Sequence, residues 1–151
     1  MKISAPSNPA PPIESFGGIE GIRVVLTSFY KKVFLDPMIG YLFREQSMAQ
    51  LIDRETQWTA KSLGINIEYE GQSLATAHQK HPIRHGHFHR RNQLLLQAIQ
   101  QHQLPQECVQ WWMNHSEAMQ KAILGRAHQD PSCEKTSNTH SHEKNKLWRT
   151  P

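Results

Sequence analysis

The sequence predicts an all-α protein, on three observations. Between residues 16 and 124 apolar side chains recur at intervals of three and four, the spacing of one face of an α-helix. No segment shows the sustained apolar–polar alternation, bounded by turn signals, that is typical of a strand. Helix-breaking residues separate the periodic segments, at Pro37, Gly64 and Pro105. The chain therefore divides into several helices.

The first predicted helix begins after the glycine pair Gly17-Gly18. Asp36-Pro37 ends it, because the residue before a proline avoids the helical backbone conformation. A short turn over residues 38–43 follows. The apolar stripe of this helix consists of Ile19, Ile22, Val25, Leu26, Phe29, Tyr30 and Val33.

Four further segments are predicted as helices. One spans residues 46–63, with Gly64 as its stop signal. A short one carries His78 and stops before Pro82, and a long one spans residues 86–101. Pro105 suits the first residue of a last helix, where a missing N–H is tolerated. The inward side chains are predicted to be Met48, Leu51, Ile52, Trp58 and Leu63, then Phe88, Leu95, Ala98 and Ile99, and finally Val109, Trp112, Met119 and Ile123.

Both ends differ from the middle in composition. Residues 1–14 are rich in proline, serine and alanine, and residues 126–151 are polar and nearly free of aliphatic side chains. Such segments bury too little apolar surface to offset the entropy of ordering them. We therefore expect a flexible N-terminal extension over 1–14, one folded domain over 15–125 and a disordered polar tail over 126–151.

Composition excludes several classes of protein. At 151 residues with 37% hydrophobic and 20% charged residues, the chain suits one soluble globular domain. No apolar run is long enough for a membrane span, and the N-terminus lacks the apolar stretch of a secretory signal. Two cysteines, Cys108 and Cys133, are too few for a disulfide framework. We expect a cytoplasmic monomer without a membrane partner. A net charge of +4 is only mildly basic, so we expect no nucleic-acid partner either.

Two charged residues fall on apolar helix stripes. Glu55 lies on the row 48, 51, 55, 58, and Arg91 lies on the row 88, 91, 95, 98. One interpretation places each charge at the edge of its stripe, in water. The other is a Glu55–Arg91 pair across a cavity, since buried charges are normally paired. Two misplaced charges of opposite sign favour the pair.

Two segments resemble the truncated haemoglobin family. In GGIEGIRVVLTSFYKKVFLDPMIGYLF a glycine pair precedes a helix ending in Phe-Tyr, and a phenylalanine follows at the spacing of Phe43 from Tyr30. In YEGQSLATAHQKHPIRHGHF a Tyr-x-Gly motif precedes a short helix bearing histidine, and His-Phe opens the next helix. The resemblance covers about 16–124. It implies a truncated globin fold, a two-over-two helical sandwich around one haem, over the domain 15–125.

The resemblance also implies roles for the ligand-binding residues. His78 matches the proximal histidine, the metal ligand of haem b (iron protoporphyrin IX). Tyr30 matches a distal tyrosine that hydrogen-bonds the gas ligand. Glu55 occupies a distal position that is often glutamine in relatives, and Arg91 replaces an apolar residue or tryptophan of the pocket. Both are candidates for stabilising the ligand, together with Tyr30.

Five further residues are predicted to line the haem pocket. Phe43 matches a ring that packs on the porphyrin, and Leu51 occupies the distal position that is histidine in many globins. Arg54 and Tyr69 match positions that contact the haem propionates. Trp58 is placed in the pocket as well, although packing alone also accounts for a tryptophan on this stripe.

The implied function is binding of oxygen or another diatomic ligand (O2, NO, CO) at a pentacoordinate or open distal site. Oxygen transport, storage or sensing, or nitric oxide oxidation with a reductase, would follow from it. A second hypothesis is peroxidase-like catalysis by Glu55 and Arg91. A third is a haem-free helical module that binds a partner through its basic, histidine-rich face. The segment KHPIRHGHFHRR is a weak zinc or nucleic-acid motif, since histidines two residues apart do not share a helical face.

Overall fold

Four α-helices and two 3₁₀ helices form the part of the chain that the structure describes, residues 9–69 and 83–129 of a computed structural model. The 3₁₀ helices are η1 (Ile13–Phe16) and η2 (Gly40–Phe43), and the α-helices are α1 (Gly18–Leu35), α2 (Met48–Ser62), α3 (His85–Gln101) and α4 (Gln106–Gln129). These residues contain no strand. None of the helices among them has the length and hydropathy of a membrane span. The predicted short helix before Pro82, with His78, lies outside the described residues.

Helix α1 is the centre of the fold and packs against η1, η2, α2 and α3. Its predicted stripe is confirmed, because six of the seven residues are buried: Ile22, Val25, Leu26, Phe29, Tyr30 and Val33. The chain enters α1 through Gly17, whose φ of 86° favours glycine. Gly21 lies so close to η1 that a Cβ there would overlap the carbonyl oxygen of Phe16. The turn between η1 and α1 therefore depends on two small residues.

Helix α2 buries different residues from those predicted. Its fully buried side chains are the small ones of Thr56, Thr59 and Ala60. The large residues expected inside are only partly buried: Met48, Leu51, Ile52 and Leu63 pack at the edge of the main core, and Trp58 packs with Phe88. Periodicity locates an apolar face, but small residues decide where another helix can come closest.

Helices α3 and α4 complete the core largely as predicted. Phe88, Leu95, Ala98 and Ile99 of α3 are buried, and so is Leu94. In α4, Cys108 and Trp112 are fully buried. The ring of Phe16 meets Trp111 and Trp112 edge-on, with centroids 5.7 and 5.8 Å apart.

Two helices extend beyond the boundaries expected for the folded domain. Residues 13 and 14, assigned to the flexible extension, belong to η1, because Ile13 packs on the main core and Phe16 is fully buried beside it. Residues 126–129, assigned to the disordered tail, continue α4. Arginine, alanine and glutamine are good helix formers, and Pro131 is the first strong helix breaker after the core.

Candidate functional site

A cavity of about 420 Å³ lies between η2, α1, α2, α3 and α4. Eight of the nine residues predicted for the site line it: Tyr30, Phe43, Leu51, Arg54, Glu55, Trp58, Tyr69 and Arg91. The ninth, His78, lies outside the described residues. The structure therefore brings together side chains from α1, η2, α2, α3 and the segment that follows α2.

Most of the wall is apolar. It is formed by Ile39, Leu42, Phe43, Leu51, Trp58, Ile83, Phe88, Met119 and Ile123. The ring of Phe43 packs edge-on against Tyr30, at 6.4 Å, and Trp58 packs edge-on against Tyr69, at 5.4 Å. The indole N–H of Trp58 is buried without a hydrogen-bond partner among the described residues.

A buried polar cluster interrupts this wall. The Tyr30 hydroxyl donates to Glu55 Oε1 at 2.6 Å, and Arg91 donates to Glu55 Oε2, also at 2.6 Å. The side chains of Glu55 and Arg91 are only 11% and 16% exposed. The predicted pairing of these two charges is thus confirmed, and the pair lies within the lining of the cavity.

Two residues that the sequence analysis missed complete the cluster. Arg91 also donates to Ser116 Oγ at 2.9 Å, and Ser116 donates to Asn92 Oδ1 at 2.6 Å. Nothing in the sequence pattern around Asn92 indicated a role in the site. Ser116 did carry a signal, since it interrupts the stripe of Trp112, Met119 and Ile123 at helical spacing. A polar residue there needs a buried partner.

The charges in the cluster stabilise one another. Burial and the neighbouring Glu55 carboxylate raise the pKa of Tyr30 well above its usual value, so its hydroxyl keeps its proton. Burial opposes the charge of Arg91, but Glu55 raises the pKa of the guanidinium above its usual value. The guanidinium also stacks over Phe29, 4.9 Å from the ring centroid.

Arg54, Tyr69 and His87 also line the cavity. Burial raises the pKa of Tyr69, and the positive charge of Arg54 partly offsets this rise. His87, not predicted as a site residue, accepts the backbone N–H of Arg84 at Nδ1, 3.4 Å away. Burial and the charge of Arg84 lower the pKa of His87.

An ion pair holds the segment that supplies Ile39, Leu42 and Phe43. Asp36 accepts Arg90 Nε and Nη2 at 3.0 and 2.7 Å. Its other oxygen accepts the backbone N–H groups of Met38 and Ile39, at 3.0 and 3.1 Å. Asp36 therefore does more than end α1, because it joins η2 to α3 beside the cavity.

The helical fold around a largely apolar cavity with one polar cluster is that of a globin. A model of the bacterial-like globin family matches residues 13–140, and the chain belongs to this family, among the truncated haemoglobins. The group 1 truncated hemoglobin GlbN of Mycolicibacterium paratuberculosis is 31% identical over 91 residues, which are 58% of this chain and 67% of that protein. The group 1 truncated hemoglobin of Tetrahymena pyriformis is 27% identical over 75 residues, 50% of this chain and 62% of that protein.

Solved structures confirm the predicted fold class. The Fe(III) form of the truncated hemoglobin from Tetrahymena pyriformis superposes with a TM-score of 0.69 at 21% identity, covering 74% of this chain and 96% of that one. The 2/2 hemoglobin from Synechococcus sp. PCC 7002, in the cyanomet state and with covalently attached heme, gives 0.69 at 19% identity, with 75% and 97% covered. The fold is therefore the all-α 2/2 globin fold.

Proposed function

We propose that this protein holds haem b in the cavity and binds a diatomic gas beside the polar cluster. The observation that carries the proposal is the buried Tyr30–Glu55–Arg91 cluster in the wall of a cavity that is otherwise mainly apolar. A cavity of about 420 Å³ with few, fixed polar groups has the size and character of a ligand site. Membership in a family of haem-based gas-binding proteins supports the same function.

The residues present fit a haem group. Phe43, Phe88 and Leu51 provide the apolar contacts that a flat macrocycle needs. Arg54, close to Tyr69, has the charge to bind a propionate. His78 would hold the iron through a neutral imidazole.

Bound haem would supply the iron that coordinates the gas. The chain supplies the surroundings: Tyr30 is a protonated donor within the cavity, and Leu51 offers no imidazole that could close the site. Hydrogen bonds of this kind slow the escape of O2 and leave CO less affected. The proposal includes oxygen storage, sensing or transport, and nitric oxide oxidation with a reductase. It takes the protein to be a cytoplasmic monomer.

A peroxidase-like activity is the second candidate. The Glu55 carboxylate lies 2.6 Å from the Arg91 guanidinium within the cavity, and a carboxylate beside an arginine can polarise a peroxide bond. Turnover of hydrogen peroxide that collapses in Glu55→Ala, while haem uptake is unchanged, would support this candidate. Equal turnover in the variant and the parent would remove it.

The test of the main proposal is the absorption spectrum of the protein reconstituted with haemin. We expect a strong Soret band that shifts when the reduced protein takes up carbon monoxide and that is lost in His78→Ala. His102→Ala is the matched control, because His102 bonds Ser28 and does not line the cavity. Folded protein that takes up no haem would overturn the proposal. The hypothesis of a haem-free helical module that binds a partner would then remain.

A further inference from the structure

We infer that Glu55 makes the cavity selective for uncharged ligands over anions. The inference deepens the proposed function, since it takes the cavity as the place where the ligand binds. It starts from the charges that line the cavity among the described residues: two arginines, Arg54 and Arg91, and one carboxylate, Glu55. Without Glu55 the lining would carry only positive charge, and an anion would be drawn into it.

Glu55 also occupies the donors that an anion would use. Its Oε1 accepts the only hydroxyl proton of Tyr30, and its Oε2 accepts Arg91 Nη2. The other terminal nitrogen of Arg91 is bound to Ser116. A ligand therefore competes with Glu55 for the hydrogen bond of Tyr30, and it meets a guanidinium that Glu55 and Ser116 already bind. An uncharged ligand such as carbon monoxide needs little from these groups, whereas an anion also meets the negative charge of Glu55.

The position of the ion pair makes this charge effective. Its two side chains are 11% and 16% exposed, and the aromatic ring of Phe29 lies against the guanidinium. In such surroundings charges are weakly screened, and one unit charge a few ångströms away changes an affinity by about tenfold or more. A surface charge on the same helix has a much smaller effect.

The test compares Glu55→Gln with Asp53→Asn, which removes the same charge from the same helix. Asp53 is 44% exposed, pairs with Arg23 and does not line the cavity. In the ferric, haem-loaded protein we measure the dissociation constant of azide, and in the ferrous protein that of carbon monoxide. In the haem-free full chain we measure binding of anilinonaphthalene sulfonate and of its uncharged parent, N-phenylnaphthylamine.

Glu55→Gln is expected to bind both anions at least about tenfold more tightly than the parent. Its affinities for carbon monoxide and for the uncharged probe should change by less than about threefold. Arg91→Gln should weaken anion binding, and the double variant should return towards the parent, because charge and not packing decides the affinity. Anion affinities of Glu55→Gln within about twofold of Asp53→Asn would overturn the inference, as would equal gains for charged and uncharged probes. Folded protein without haem uptake would overturn the proposed function alone, since the probe pair would still decide the role of Glu55.

Discussion

The Tyr30 hydroxyl can donate one hydrogen bond, and in this structure Glu55 accepts it. A ligand in the cavity must take over that hydrogen bond, so the net stabilisation is the difference between two hydrogen bonds. Arg91 binds the other oxygen of Glu55, so the carboxylate would keep this partner if the tyrosine turned towards a ligand. Tyr30 is thus a donor whose strength Glu55 moderates.

Tyr30→Phe is expected to raise the oxygen dissociation rate by roughly three- to tenfold, the equivalent of about 1 kcal/mol for one net hydrogen bond. Stopped-flow displacement of oxygen by carbon monoxide measures the rate. Tyr41→Phe is the control, because that hydroxyl lies near His87 and Tyr41 is not part of the cavity lining. An unchanged rate in Tyr30→Phe would show that the tyrosine is not the donor.

At the scale of the elements, α2 supplies more of the predicted site residues than any other element. It begins at a cap, where the Ser47 hydroxyl accepts the backbone N–H of Gln50 at 3.2 Å. Four site residues follow on this one helix: Leu51, Arg54, Glu55 and Trp58. The first turn of α2 therefore affects both stability and the shape of the cavity.

Ser47→Ala should lower the free energy of unfolding by about 1 kcal/mol, since it removes the cap. Urea denaturation of the full chain measures the change. Ser62→Ala at the other end of α2 is the matched control, because its hydroxyl only donates to the carbonyl of Trp58 within the helix. A loss no larger than that of the control would show that the cap is unimportant.

The Asp36–Arg90 pair joins two elements and predicts a dependence on pH. Hydrogen bonds from Arg90, and then those from Ile39 and Met38, hold the pKa of Asp36 below its usual value of 3.8 despite burial. A carboxyl whose pKa is lower in the folded state stabilises the fold above its unfolded pKa. That stabilisation is lost as the pH falls through the folded pKa.

Asp36→Asn is therefore expected to lower the free energy of unfolding by about 2 kcal/mol at neutral pH, a typical value for hydrogen bonds to a charged group. The difference from the parent should shrink below pH 3.8, and urea unfolding at several pH values measures it. Asp53→Asn, in a half-exposed pair with Arg23, should cost less than about 1 kcal/mol. A constant difference down to the lowest pH would contradict the assignment to Asp36.

At the scale of the whole molecule, the N-terminal η1 closes the core. Phe16 is 1% exposed and contacts tryptophans almost a hundred residues later in the chain. Neither Phe16 nor these two tryptophans line the cavity. Loss of the Phe16 ring should therefore destabilise the whole fold without touching the site.

Phe16→Ala is expected to lower the free energy of unfolding by about 3–5 kcal/mol, the usual cost of removing a buried aromatic ring. Guanidinium denaturation followed by tryptophan fluorescence measures it. Val24→Ala, at a position 50% exposed on α1, should stay within about 0.5 kcal/mol of the parent. A similar small change in both variants would mean that η1 is not part of the cooperative core.

The described helices and their order could be read from the chain, because helical periodicity and breakers act within a few residues of each other. Periodicity also singled out Glu55 and Arg91, whereas the family resemblance supplied the other candidate residues of the site. The partners of Arg91 could not be read so fully. Ser116 meets the guanidinium only after α3 and α4 have packed, and Asn92, next to Arg91 on α3, joins the cluster by accepting the hydroxyl of Ser116.

The opposite charges of Glu55 and Arg91, on the faces of two amphipathic helices, are local properties of the amino-acid order, and they sufficed to predict a pair. Only packing placed these residues, 36 positions apart in the chain, within 2.6 Å of each other. Packing also brought the Tyr30 hydroxyl to the carboxylate as a hydrogen-bond donor. Hydrogen bonds and screening depend on distances of a few ångströms and on how much water is excluded. Only the packed helices set those quantities.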